Sequence, residues 1–131
     1  MKYIKCDSGR SQSKRPKQKN DCTVRALALA TGKEYDDVYD ELARQGRKCN
    51  KGFKNKEMFN RKDFEVFGVK FRWESYKAVK NERRLNSDTW NKTGEFIVRT
   101  AKHTAYVKDN LLYDTFPMID RCIYGSWEII R

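Results

Sequence analysis

The chain has 131 residues, the size of one domain and too short for separate cofactor and substrate halves. Its 29 Lys and Arg against 18 Asp and Glu leave a formal charge of +11. With 36% charged residues a membrane-embedded chain is excluded, while seven Tyr, seven Phe and three Trp supply too much buriable surface for a disordered one. No stretch approaches the roughly 20 apolar residues of a membrane span, and MKYIKCDSGR lacks the apolar run of a signal peptide. The expectation is a protein of the cytoplasm whose four cysteines, Cys6, Cys22, Cys49 and Cys122, are free thiols.

In chain order, residues 1–20 read as a basic N-terminal arm or loop, and DSGRSQSKRPKQKN within it has no apolar side chain beyond a Pro ring. Residues 21–131 form the single domain. CTVRALALATG opens it with good helix formers, Asn20 or Asp21 as cap and Gly32 as stop, which sets Cys22 in the first turn of a helix. Tyr35, Val38, Tyr39 and Leu42 recur at helical spacing, with Glu34, Asp36 and Asp37 suited to the N-terminal end of a second helix. RKDFEVFG reads as a short third helix closed by Gly68, and VKFRW alternates as a strand. The segment from Glu74 to Lys92 shows no clear period. After Gly94 the period is two, in EFIVRT, HTAYV, LLYDT and SWEII. Helices first and strands afterwards predict an α+β domain, N-terminal helices packed on a C-terminal antiparallel sheet.

The positive charge is blocky: residues 1–20 carry seven bases against one acid and residues 44–62 eight against one. Lys14, Arg15, Lys17, Lys19, Arg47, Lys48, Lys51, Lys54 and Lys56 are therefore candidates for binding nucleic acid or an acidic protein, with Phe53, Phe59 or Trp73 available for stacking. A solvated face explains any one block equally well.

Nucleophilic chemistry has one candidate set. A cysteine at a helix N-terminus is tuned toward thiolate by the free backbone N–H groups there, and Cys22 holds that position. The chain has a single histidine, His103, to serve as base. If Asp109 and Asn110 make a two-residue hairpin turn, positions pair so that their numbers sum to 219. Ala105 then faces Asp114, and Asp114 becomes the diagonal neighbour of His103 on one face, near enough to orient the imidazole. A half-buried strand histidine beside a strand-end acid is the plainer alternative.

NDCTVRALALATG, followed by GEFIVRTAKHTAYVKDNLLYDT, resembles the Cys, His, Asp layout of the papain-like cysteine peptidases, above all the compact bacteriocin-processing, double-glycine peptidases. It also resembles short proteins of tailed bacteriophages. The likeness implies a papain-like fold and a thiol protease with Cys22 as nucleophile, His103 as base and Asp114 as orienting acid. A cofactor is not needed, and a peptide or protein is the substrate. It further implies a viral protein working in the host cytoplasm. Two positions depart from the family pattern. Pro16 stands six residues before the cysteine where the family has an oxyanion-stabilising Gln, making Gln18 the nearest substitute, and Thr23 follows the nucleophile in place of Gly. Deamidation, transglutamination or loss of activity stay open beside proteolysis. So does a non-catalytic basic binding module. A metal site is not expected, since the cysteines lack any C-x2-C pair.

Overall fold

Strong helix formers carry the first helix, α1 (Cys22–Thr31), from its N-cap at Asp21 to Gly32. Gly32 takes the left-handed conformation (φ 71°) and its N–H closes on the Ala28 carbonyl, the expected stop. The second helix, α2 (Tyr35–Arg44), buries Tyr35, Val38 and Leu42, as its spacing predicts. This computed structural model describes residues 1–55, 58–76, 84–85, 90 and 92–131. Lys56 and most of the segment between Glu74 and Lys92 lie outside the described residues.

Seven strands follow the chain as β1 (Lys2–Lys5), β2 (Phe64–Val66), β3 (Val69–Ser75), β4 (Glu95–Thr100), β5 (His103–Lys108), β6 (Leu111–Asp114) and β7 (Gly125–Ile130). They form one sheet in the order β1-β6-β5-β4-β7-β3-β2. The domain is α+β, but the sheet is mixed where the sequence pattern predicts an antiparallel one, because β1 runs parallel to β6. That strand also corrects the reading of residues 1–20 as arm throughout: Lys2 to Lys5 pair with Leu111 to Asp114, and only residues beyond Lys5 are loop and a single 3₁₀ turn.

The third helix does not form. Phe64 and Val66 alternate inward against Phe71 and Val69, and the two-residue turn Phe67-Gly68 has φ of 52° and 73°, the left-handed pair that a tight hairpin requires. Phe64 and Phe71 stack with ring centroids 4.5 Å apart. Period two thus outweighs the helix stop that Gly68 suggests.

The hairpin joining β5 and β6 turns at Asp109 (φ 47°) and Asn110 (φ 67°), and Lys108 pairs with Leu111, Val107 with Leu112 and Tyr106 with Tyr113, the register that the turn residues predict. Alternation along the strands splits the core in two. Ile97, Tyr106 and Trp127 join α1 and α2 on one face, whereas Phe96, Val98, Ala105, Val107 and Leu112 meet Leu85, Trp90, Met118 and Ile123 on the other. Packing of α1 on β5 and β4 brings its N-terminus to the end of the sheet where β5 begins and β6 stops.

Candidate active site

Cys22 is the first residue of α1, His103 the first of β5 and Asp114 the last of β6. Helix start and strand ends converge, and with them the three side chains. His103 Nε2 lies 2.5 Å from Asp114 Oδ2. With that nitrogen committed, Nδ1 is the one available to the Cys22 thiol, which hydrogen-bonds the ring. Thr104 donates to Cys22 Sγ from its hydroxyl at 3.6 Å and also from its backbone N–H.

Burial pushes the Cys22 thiol up, but the hydrogen bond and charge of His103 and the Thr104 donors outweigh it and bring the thiol down to about 7. Burial acts on His103 downward, and the hydrogen bonds and charges of Asp114 and Cys22 raise the ring to about 9. Between those values the pair holds a thiolate beside an imidazolium. Asp114, buried, is pushed up by desolvation yet ends below the ordinary carboxylate value, through His103, Arg25 and the Thr115 N–H.

Sequence reading misses what stands behind the acid. Arg25, 8% exposed, donates from Nη1 to Asp114 Oδ1 and from Nε to Asp21 Oδ1 at 3.1 Å. Asp21 accepts in addition from Arg10 Nη1 at 3.0 Å and from the Tyr35 hydroxyl at 2.7 Å. Its carboxylate therefore serves this chain of charges and does not cap α1. The spacing of Asp21 and Arg25, four apart at the start of a helix, is the available signal.

Gln18 is buried, but its carboxamide faces elsewhere: Oε1 accepts from Arg47 Nη1 at 3.2 Å and from the Asn50 N–H at 2.6 Å, and Nε2 points to Cys49 Sγ at 3.6 Å. The geometry gives it no hydrogen bond to Cys22. The free backbone N–H groups at the start of α1 remain to meet an oxyanion. Cys49, exposed, has its thiol lowered by Gln18 and Tyr39, and so competes with Cys22 for small alkylating agents.

The basic candidates divide. Arg15 is paired with Asp36 and Asp40, each at 2.7 Å, and lies over the Tyr39 ring. Arg47, 5% exposed, donates to the carbonyls of Lys19 and Asn20 at 3.1 and 3.4 Å. Asn50 completes this seam, accepting from the Lys19 N–H and the Asn20 amide. Lys14, Lys17, Lys19, Lys48, Lys51 and Lys54 are exposed, and none of their ammonium groups has an ion-pair partner among the described residues. Phe59 is buried, and Phe53 and Trp73 are partly so. All four cysteines are free thiols, and no cluster of metal-ligating side chains occurs among the described residues. Nor is any described helix long and apolar enough to cross a membrane.

No protein-family model, no curated protein and no solved structure matches this chain.

Proposed function

We propose that this chain is a cysteine hydrolase of papain-like architecture that cleaves a peptide or related amide bond through a thioacyl intermediate. The observation that carries the reading is the line Cys22, His103, Asp114, drawn together from α1, β5 and β6 with the thiol lowered to about 7. A half-buried strand histidine without such a task has no need of a thiol on one nitrogen and a carboxylate on the other.

In this mechanism the Cys22 thiolate attacks the amide carbon, and the N–H groups at the start of α1 stabilise the oxyanion. His103, already protonated, delivers its proton to the leaving amine as the C–N bond breaks, leaving a thioester on Cys22. The neutral ring then takes a proton from water, which attacks the thioester and releases the carboxylic acid and free thiolate. Asp114 holds the ring and its charge throughout. The resemblance to short phage proteins extends the proposal to a viral enzyme acting in the host cytoplasm.

The test is the rate of Cys22 alkylation by iodoacetamide against pH, read by mass spectrometry so that Cys49 is scored separately. A midpoint near 7 that His103→Ala abolishes supports the dyad. A Cys22 no more reactive than Cys6 or Cys122 at neutral pH ends the hydrolase reading and leaves a binding role for the exposed lysines.

A further inference from the structure

At the end of the sheet nearest the thiol, Thr104 on β5, Arg99 on β4 and Gly125 on β7 form one row, each directly opposite the next. Directly opposite residues of an antiparallel pair share a face, with Cβ atoms about 4.5–5.5 Å apart. Thr104 touches Cys22 Sγ, so Arg99 stands one strand beyond a residue in contact with the nucleophile, on that same face. Gly125 adds no side chain to the row, and a Cβ there would come within 2.3 Å of Trp73.

A cavity of about 390 Å³ opens at this point, lined by Phe53, Lys54, Asn55, Phe59, Asn60 and Arg99. Its volume suits a side chain or small ligand. Arg99 is half-buried, its Nε is hidden from solvent without a hydrogen-bond partner, and no carboxylate pairs with it among the described residues. The two most buried other arginines have their Nη atoms engaged: Arg25 holds two carboxylates, and Arg47, although its Nε also lacks a partner, holds a carboxamide and two carbonyls through Nη1 and Nη2. Because Nε is closed off from solvent, the donors that an incoming acceptor would meet are the Nη groups of this cavity-lining residue, which bond nothing among the described residues. Phe53 and Phe59, in a T-shaped contact with centroids 6.5 Å apart, give the cavity an apolar wall for methylene groups, and Lys54 adds a second positive charge.

We infer that this cavity is the subsite for an acidic side chain, Asp or Glu, of the peptide whose amide bond Cys22 attacks, with Arg99 as the carboxylate's partner. The inference rests on the hydrolase reading and supplies its substrate class. A nucleic acid fits less well: Phe59 is only 7% exposed and edge-on to Phe53, so it offers no open ring face to a base. One guanidinium in a pocket suits a single carboxylate, where a phosphate backbone calls for a row of charges.

The experiment uses the full chain and matched tetrapeptidyl chloromethyl ketones that carry Glu, Gln or Lys at one position at a time. Labelling of Cys22 is read by mass spectrometry and divided by the iodoacetamide rate of the same variant. At one position the Glu reagent reacts at least about tenfold faster than the Gln reagent, the size of one good charged contact. Arg99→Leu removes that preference, and Arg99→Lys keeps part of it. Should Arg99→Leu not fold, Arg99→Lys together with Lys54→Glu carries the test, and the preference falls in both. Equal Glu and Gln rates in the wild type overturn the inference, as does a preference that survives loss of the Arg99 charge; Cys22 still alkylates in those cases, so the hydrolase reading stands. A Cys22 inert to iodoacetamide overturns both. Protection of Cys22 by a single-stranded oligonucleotide, without Glu over Gln discrimination, overturns it in favour of nucleic acid.

Discussion

Two regions of this molecule carry positive charge in opposite ways. Behind the thiol, Arg25 is buried between Asp114 and Asp21, and every donor-acceptor contact fixes a carboxylate that the site uses or rests on. Along the loops at residues 14–20 and 47–54, Lys17, Lys19, Lys48, Lys51 and Lys54 stand exposed and without ion pairs among the described residues. The first region commits its charges to geometry, the second leaves them to whatever approaches. Residue type alone does not separate these uses, since Arg15 and Arg47 fall in the basic segments of the chain yet behave like Arg25.

The largest effect that would sharpen this contrast comes from Arg25→Met. Removing one member of a buried charged network strands the rest, at a cost of about 3–5 kcal/mol. Urea unfolding is expected to show a loss in that range, and a loss under about 1 kcal/mol would show that the charges behind the thiol are no more structural than those on the loops. A pH signature accompanies it. The folded-state value of Asp114 lies below its ordinary 3.8, so its contribution is complete above that value and disappears as pH falls through the lower one. Wild type therefore loses stability in acid more steeply than Asp114→Asn.

Next in size is His103→Ala, read on the thiol. Wild-type Cys22 gains reactivity as pH rises through about 7, and turnover falls again as the imidazolium loses its proton near 9. Without the ring, burial dominates and the thiol returns to the free value of about 8.5 or above. Alkylation at pH 7 then drops by more than about tenfold. An unchanged alkylation midpoint would mean that Thr104 and the start of α1, and not His103, hold the thiolate.

Much of this site is legible in the amino-acid order itself. Cys22 needs only the switch from a polar loop to a run of helix formers, and the His103 to Asp114 relation needs only the two-residue turn at Asp109-Asn110, because one turn fixes the register of both strands it joins. Strand β1 is out of reach: its parallel partner lies more than a hundred residues away, and KYIK carries too little pattern to announce it. Strand β3 is legible in the alternation of VKFRW, but β2 reads wrongly as a helix because Gly68 serves a helix stop and a left-handed turn equally well, and only the alternation of Phe64 with Val66 tells them apart. Arg25 is hidden by its own propensity, since arginine is as good a helix former as the leucines beside it. Arg99 needs the pairing of β4 with β5 before it can be set beside the thiol.

Arg47→Met tests the middle ground. The side chain ties residues 18–20, which lead into Cys22, to the loop that carries the exposed lysines. Leaving the Lys19 and Asn20 carbonyls and Gln18 Oε1 without this donor costs about 1–3 kcal/mol. Because Asn20 lies two residues before the nucleophile, faster hydrogen exchange at residues 18–22 is expected together with the lost stability. Exchange confined to residues 47–51 would instead assign Arg47 to the lysine loop alone.

The smallest effect is the most telling for the contrast. Lys48→Ser with Lys51→Ser removes two exposed charges that touch no carboxylate among the described residues, so unfolding should shift by less than about 0.5 kcal/mol. Stability is the wrong place to look for their role. If these lysines draw an acidic peptide toward the thiol, the double variant slows labelling by a Glu-containing reagent at low salt and loses that difference near 1 M salt, where the screening length is about 3 Å. Arg99, half-buried at its cavity and so less screened than the exposed lysines, keeps more of its Glu over Gln preference at the same salt. A salt-insensitive loss in the lysine variant would place Lys48 and Lys51 in direct contact with the peptide. No loss at any salt would leave the exposed charges serving solubility alone.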